Sequence, residues 1–400
     1  MTLKEGICGH QPDHTMGNML HKMFPRHLLQ SDEDYVCQRP EWNDTGRCIL
    51  HAEVEPKPPD EVREALNQGG RLDDLYLRNT RVNDVTIADQ PIVNADFRRA
   101  ILTDVSFSNC YLWDVDFSNA GLKQVRFPNA NIFQTYFQGA TCRGISFREA
   151  RLPDTRFDGA HLRGANFERA NVEECTFDNT DLRDADFVGA ALYHTSFQNA
   201  RIDDDTDFGR QTWYEGGGLV QSMINERPGV DDAELMMHDH RDPNEDPYER
   251  AAWQYRMLSQ LYRDNSEPEQ AREYYIEEKN ARRVLYRRKR KFRSYVKAEL
   301  SRWVTRYGES PWFVVGWSFA VIAGAAVLYS RFGGIRQGGE VVTSDPMQLL
   351  YFSVVTFTTL GYGDYQPATG LTQLIASTEA LLGALLMALL VFVLGRRVTW

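Results

Sequence analysis

Residues 356–364 read Thr-Phe-Thr-Thr-Leu-Gly-Tyr-Gly-Asp, a stretch whose residue types suit it to holding a dehydrated cation. An ion leaves water only where closely stacked oxygens replace its hydration shell, and backbone carbonyls can supply them when consecutive ones point one way. Gly361 and Gly363 allow the backbone angles that this demands. Thr359 can add a hydroxyl oxygen at the inner end, and Asp364 places a carboxylate at the outer mouth. Tyr362, between the glycines, can pack outward as a rigid strut.

The flanks suit that chemistry. Ser344-Asp345-Pro346 offers an N-cap and a proline for the first helical position. The apolar run 347–357 is too short to span a bilayer but long enough for a re-entrant helix. Its C-terminal end would aim a negative dipole end at the ion path. Residues 312–329 and 371–394 are apolar and long enough to cross a membrane on either side.

This helix, loop, helix order and the 356–364 stretch resemble the two-helix potassium channels, whose filter reads Thr-Val-Gly-Tyr-Gly-Asp. Leu360 departs from that pattern at a position that contributes its carbonyl. The resemblance covers about the last 90 residues. It implies K+ coordinated by carbonyls of Thr359, Leu360, Gly361, Tyr362 and Gly363, with Thr358 and Asp364 supporting the filter and its mouth. Because one chain supplies one strand of carbonyls, it also implies a homotetramer. Gly383 falls where related inner helices carry a gating hinge, although a small residue there also suits helix packing. Glu379 is costly in lipid and must face protein or water, either tying the inner helix to the pore helix or lending charge to the cavity.

A second pattern occupies the middle of the chain. From Phe97 to Ile202 an apolar residue returns every five positions, with Phe alternating with smaller apolar residues: Phe97, Leu102, Phe107, Leu112, Phe117 and onward. Two positions before each stands a small or β-branched residue such as Ala95, Ala100 or Val105. This resembles the pentapeptide repeats, in which four repeats make one square coil of a right-handed parallel β-helix. Six or seven coils at about 4.8 Å each make a rod roughly 30 Å long. Cys110, Cys142 and Cys175 fall on inward positions and belong to the core. Both ends need caps, since a coil buries its faces only against neighbours. The outward positions mix signs, Arg98 and Lys123 with Glu168 and Glu173, so no nucleic-acid mimicry is expected.

The opening segment carries Cys8, His10, Cys37, Cys48 and His51. The Cys48–His51 spacing lets two side chains reach one tetrahedral ion, with Cys8 and Cys37 completing a structural Zn2+ site and His10 as a substitute ligand. Free thiols under loops are the alternative. A reducing cytoplasm favours metal over disulfides.

The chain of 400 residues thus divides into five parts. Residues 1–68 are loop-rich and carry the metal knot, 69–208 form the β-helix, and 209–246 are a linker containing Gly216-Gly217-Gly218. Residues 247–308 form a helical hairpin, broken at Asn265-Ser266-Glu267-Pro268 with Ser266 as N-cap, whose second helix runs on through a basic juxtamembrane segment. The pore takes 309–400, with membrane helices 311–330 and 370–395, pore helix 346–358 and filter 359–364. Net charge is −11, yet cations crowd residues 282–293 beside the first membrane helix, and Arg396 and Arg397 follow the second. By the positive-inside rule both termini are cytoplasmic at the plasma membrane, and the basic run faces anionic lipid headgroups. No signal peptide opens the chain, and no spacing suggests a catalytic triad, a phosphate loop or a catalytic metal, so an enzyme is not expected. Nucleic acid is not an expected partner; a cytoplasmic protein bound by the β-helix is. The expectation is a K+ channel with an N-terminal scaffold or sensor; the alternative is a membrane-anchored scaffold with a weakly selective or silent pore.

Overall fold

The computed structural model describes residues 7–10, 37–69, 72–210, 212, 214 and 246–398. The expected linker 209–246, with its three glycines, lies almost wholly outside them. The chain divides into two compact units, one up to Glu278 and one from Lys279.

The first unit is a parallel β-solenoid. Arg81–Asn83 pairs with Ile101–Thr103, which pairs with Gly121–Lys123 and then Thr141–Arg143, always in register and 20 residues on. Pro91–Val93, Tyr111–Trp113 and Asn131–Phe133 stack in the same way on another face. Single bridges carry this pairing on to Asp181 with Arg201, and four five-residue repeats therefore make one coil. At the far end Asp186 bridges to Asp207, so one extra residue has entered the last coil. The corners lie two positions after each central residue, where Asp104, Asn109, Asp114, Asn119 and their successors have positive φ. Inside, Phe97, Phe117, Phe137, Phe157, Phe177 and Phe197 stack with centroids 4.7–5.1 Å apart. A second column runs from Phe107 to Phe187 and ends on Phe208, meeting the first edge-on. All these rings are buried.

Both ends of the solenoid are covered. Helix α1 (Pro59–Asn67), with residues 7–10 and 37–52, lies at the start. Helix α2 (Pro247–Asp264) closes the other end: Asp246 caps it, Pro247 opens it, and Ala252, Tyr255, Leu258 and Tyr262 are buried. The Tyr262 hydroxyl donates to the Thr206 carbonyl at 2.8 Å and its ring meets Phe208 edge-on. Asn265 donates to the Ala200 carbonyl at 3.0 Å and accepts from the Ile202 amide at 3.1 Å. The hairpin helix expected as a connector is thus also a cap.

Helix α3 (Pro268–Arg288) begins after a turn with Ser266 in the left-handed region. The Ala271 amide donates to Glu267, so Glu267 and not Ser266 holds the N-cap position. Nor does α3 run on through the basic segment. It stops at Arg288, Arg290 turns to φ 51°, and a separate α4 (Phe292–Thr305) follows. Crowded like charges weaken a continuous helix, and Arg287 and Arg288 sit favourably at the negative end of α3.

The second unit contains α5 (Pro311–Arg331), α6 (Pro346–Phe357) and α7 (Gly370–Val398). Arg306, Tyr307 and Gly308 all take positive φ before Pro311 starts α5. Ala325, Tyr329, Ile335, Leu349 and Phe352 form the buried centre where these helices meet. A small antiparallel sheet of Ile335–Gln337, Glu340–Val342 and Gln366–Pro367, absent from the sequence expectations, frames α6 and the loop after it. Helices α5 and α7 are each long and apolar enough to cross a membrane.

Candidate functional site: the 358–364 loop

The loop is positioned by α6. The Asp345 carboxylate accepts from the Met347 and Gln348 amides and Pro346 takes the first helical position, so the helix starts at a defined point. It ends at Thr358, whose hydroxyl donates to the Val354 carbonyl at 2.7 Å. The amides of Thr359 and Leu360 then return to the Thr356 and Val355 carbonyls, both at 3.1 Å, which seats the loop on the helix end.

Beyond that seat, Thr359, Gly361 and Gly363 have φ of 56°, 58° and 79°. In an ordinary strand successive carbonyls point to opposite sides; placing every second residue in the left-handed region turns them toward one side. Glycine tolerates this, but a β-branched threonine rarely does. Thr359 is therefore a special position that residue type alone does not announce. Leu360 and Tyr362 are 59% and 68% exposed in the single chain, and a Cβ on Gly361 or Gly363 would meet open space. Asp364 is exposed at the end of the loop.

Behind the loop lies a buried polar knot. The Tyr329 hydroxyl of α5 donates to Glu379 Oε2 of α7 at 2.6 Å, and Ser353 Oγ of α6 is hydrogen-bonded to the other carboxylate oxygen. Ser353 Oγ also lies 2.8 Å from the Ile322 carbonyl. Glu379 is 2% exposed and so joins all three helices. Gly383 faces the end of α6: a Cβ there would come within 2.1 Å of the Phe357 carbonyl oxygen. The helix continues through Gly383 without a break. Lower down, Glu309 pairs with Arg396 at 3.1 Å, joining the base of α5 to the end of α7.

Residues 316–399 match the family described as ion channel, and residues 91–157 and 137–206 match the pentapeptide repeat region. The chain joins a pentapeptide-repeat domain to a two-helix ion-channel domain. Solved structures similar to the repeat domain include QnrB1, a plasmid-mediated fluoroquinolone resistance protein. It is 16% identical at a TM-score of 0.22, over 39% of this chain and 95% of that one. A pentapeptide repeat protein of the Arabidopsis thaliana thylakoid lumen is 35% identical at a TM-score of 0.19, over 23% of this chain and 61% of its own. Rfr23 of the cyanobacterium Cyanothece 51142 is 22% identical at a TM-score of 0.18, over 33% and 89%. No curated protein matches the chain.

The pentapeptide-repeat domain carries a second candidate site at its N-terminal end. Cys8, Cys37, Cys48 and His51 are all buried, and their ligand atoms lie within 4.8 Å of one another, a cluster able to hold a metal ion. The Cys37 and Cys48 sulfurs lie 3.9 Å apart, and hydrogen bonding with Cys48 holds the Cys37 thiol well below its ordinary range. His10 does not join them; its Nε2 lies 2.8 Å from an Asp74 carboxylate oxygen. The repeat-core cysteines differ: burial alone pushes Cys142 up to about 12, so it stays a neutral apolar filler.

Proposed function

We propose that four copies of this chain form a K+-selective channel in the plasma membrane, conducting passively, with both termini cytoplasmic and the filter at the outer side. The observation that carries the proposal is the alternation of left-handed residues at Thr359, Gly361 and Gly363 inside Thr-Leu-Gly-Tyr-Gly-Asp. Carbonyls of Thr359 to Gly363 would take the place of the ion's water, with the Thr359 hydroxyl below them. One chain offers one such strand with open sides, and the exposure of Leu360 and Tyr362 leaves surface for neighbouring copies. Gly383 has a packing duty against Phe357, and hinge motion there would have to separate α7 from the end of α6.

Helix α4 supports a membrane-surface position. Phe292, Val296, Leu300 and Trp303 are exposed and fall on one helical stripe, flanked by Arg293 and Lys297. An apolar stripe beside cations is the pattern of a helix lying in the interface of an anionic leaflet. The pentapeptide rod serves as scaffold or gating module. The Cys8, Cys37, Cys48 and His51 cluster takes a structural zinc ion, as its sulfur donors favour.

The test is K+ flux from proteoliposomes beside Gly361→Ala, which puts a Cβ at φ 58°. Flux selective for K+ over Na+, lost in the variant, is the expected result. Tight vesicles with the wild-type chain would count against a conducting pore.

A further inference from the structure

We infer that zinc in the Cys8, Cys37, Cys48 and His51 cluster is what closes the N-terminal end of the pentapeptide rod, an inference resting on the assignment of that cluster to zinc. Three of the six separations between the ligand atoms match the edges of one tetrahedral ion. Zn–S bonds of about 2.3 Å and Zn–N bonds of about 2.0 Å give tetrahedral edges of roughly 3.8 Å between sulfurs and roughly 3.5 Å between sulfur and nitrogen. Here Cys37 and Cys48 sulfurs are 3.9 Å apart, and His51 Nδ1 lies 3.3 Å from Cys8 Sγ and 3.4 Å from Cys48 Sγ. A disulfide would need about 2.05 Å.

The histidine is also oriented for the task. Its Nε2 lies 3.0 Å from the Asp73 carbonyl, which can only accept. The proton therefore sits on Nε2, and the Nδ1 lone pair faces the sulfurs. Outer hydrogen bonds of this kind fix ligand orientation in metal sites.

What makes the cluster a cap is where these outer bonds lead. Asp73 precedes Asp74, whose amide donates to the Val93 carbonyl of the first coil at 2.8 Å. The Asp74 carboxylate accepts from Asn94 at 2.7 Å and holds His10. The Tyr76 amide donates to the Leu50 carbonyl at 2.8 Å, and Tyr76 bridges to Asp96. Among the described residues, the backbone ties of residues 8, 37, 48 and 51 stay within the N-terminal segment, such as Cys8 to Arg39 and Cys37 to His10. One ion would gather them at a point and pass that anchorage, through His51 and Leu50, to the first coil.

The experiment uses the full-length protein in detergent. Zinc per chain is measured by elemental analysis, and deuterium exchange is followed before and after chelation and after zinc is restored. A ligand at about 100 times its Kd raises protection of the unit it stabilises about a hundredfold. The expected result is one zinc per chain, with exchange over residues 72–96 rising about ten- to a hundredfold on chelation and reversing with zinc, while residues 140–200 keep their rates. Cys8→Ser should show the same pattern at reduced zinc content. Absence of zinc from the wild-type chain overturns the site and the cap together. One zinc per chain with unchanged exchange over residues 72–96 overturns the cap and leaves the site standing.

Discussion

Glu379 concentrates the residue-scale argument, because one carboxylate serves donors on two other helices. Glu379→Gln keeps an acceptor for Tyr329 and an amide for Ser353, whereas Glu379→Ala removes the carboxylate that the buried Tyr329 hydroxyl donates to, at about 1–3 kcal/mol, while Ser353 keeps the Ile322 carbonyl. The alanine variant is therefore expected to lower the thermal midpoint of the detergent-solubilised protein well below wild type and the glutamine variant only slightly; equal losses would count against the knot. Lys57 gives a pH prediction. Its amine is buried and donates to the Tyr76 carbonyl, and burial pushes its pKa down to about 8 from 10.5. Between those values the unfolded chain binds a proton that the folded chain does not, so stability rises with pH across the window. The wild-type thermal midpoint relative to Lys57→Met is expected to climb from pH 8 to pH 10.5; a flat difference would contradict the burial argument. Much at this scale is legible in the sequence. The corner column of the repeat, rich in Asp, Asn and Gly, announces its left-handed backbone because those types tolerate it. Thr359 does not, since nothing in threonine's chemistry asks for φ 56°; only the loop it belongs to requires it.

At the scale of elements, the solenoid is legible because every coil obeys the same local rule, and an error in one repeat would be outvoted by its neighbours. The ends are less so. That α2 would fold over the last coil is not contained in its amphipathic pattern, which any apolar partner would satisfy. The division of the basic segment into α3 and α4 is equally hidden, since arginine and lysine are good helix formers and only their mutual repulsion argues for the break at Arg290. Strands of two or three residues around the 358–364 loop carry no periodicity at all. The stacked Phe columns yield a sharp prediction. Phe157 is fully buried between Phe137 and Phe177, at 5.0 and 4.7 Å. Phe157→Ala should cost about 3–5 kcal/mol by opening a cavity that rigid neighbouring coils cannot fill. Exchange protection of the surrounding coils would report it, and a loss under 1 kcal/mol would mean that the columns relax freely.

For the whole molecule the question is what the rod contributes to the pore. Cutting at residue 245 would be a poor test, because α2 would lose the coil that covers Tyr255, Leu258 and Tyr262 and expose an apolar face. A cut after Glu278 respects the division into two units. The 358–364 loop, α6, the small sheet and the Glu379 knot all lie within residues 279–400. If ion choice resides in carbonyl geometry, K+ over Na+ selectivity should survive the cut unchanged, and total flux then tells which role the rod has. Proteoliposome flux at matched protein content reads both quantities at once. Higher flux would give the rod an inhibitory role, unchanged flux would leave it a scaffold, and lost selectivity would mean that the filter depends on the first unit. The last outcome would sink the modular reading, because a loop held by its own helix end, buried centre and sheet has no need of the first unit's coils to keep its carbonyls in line.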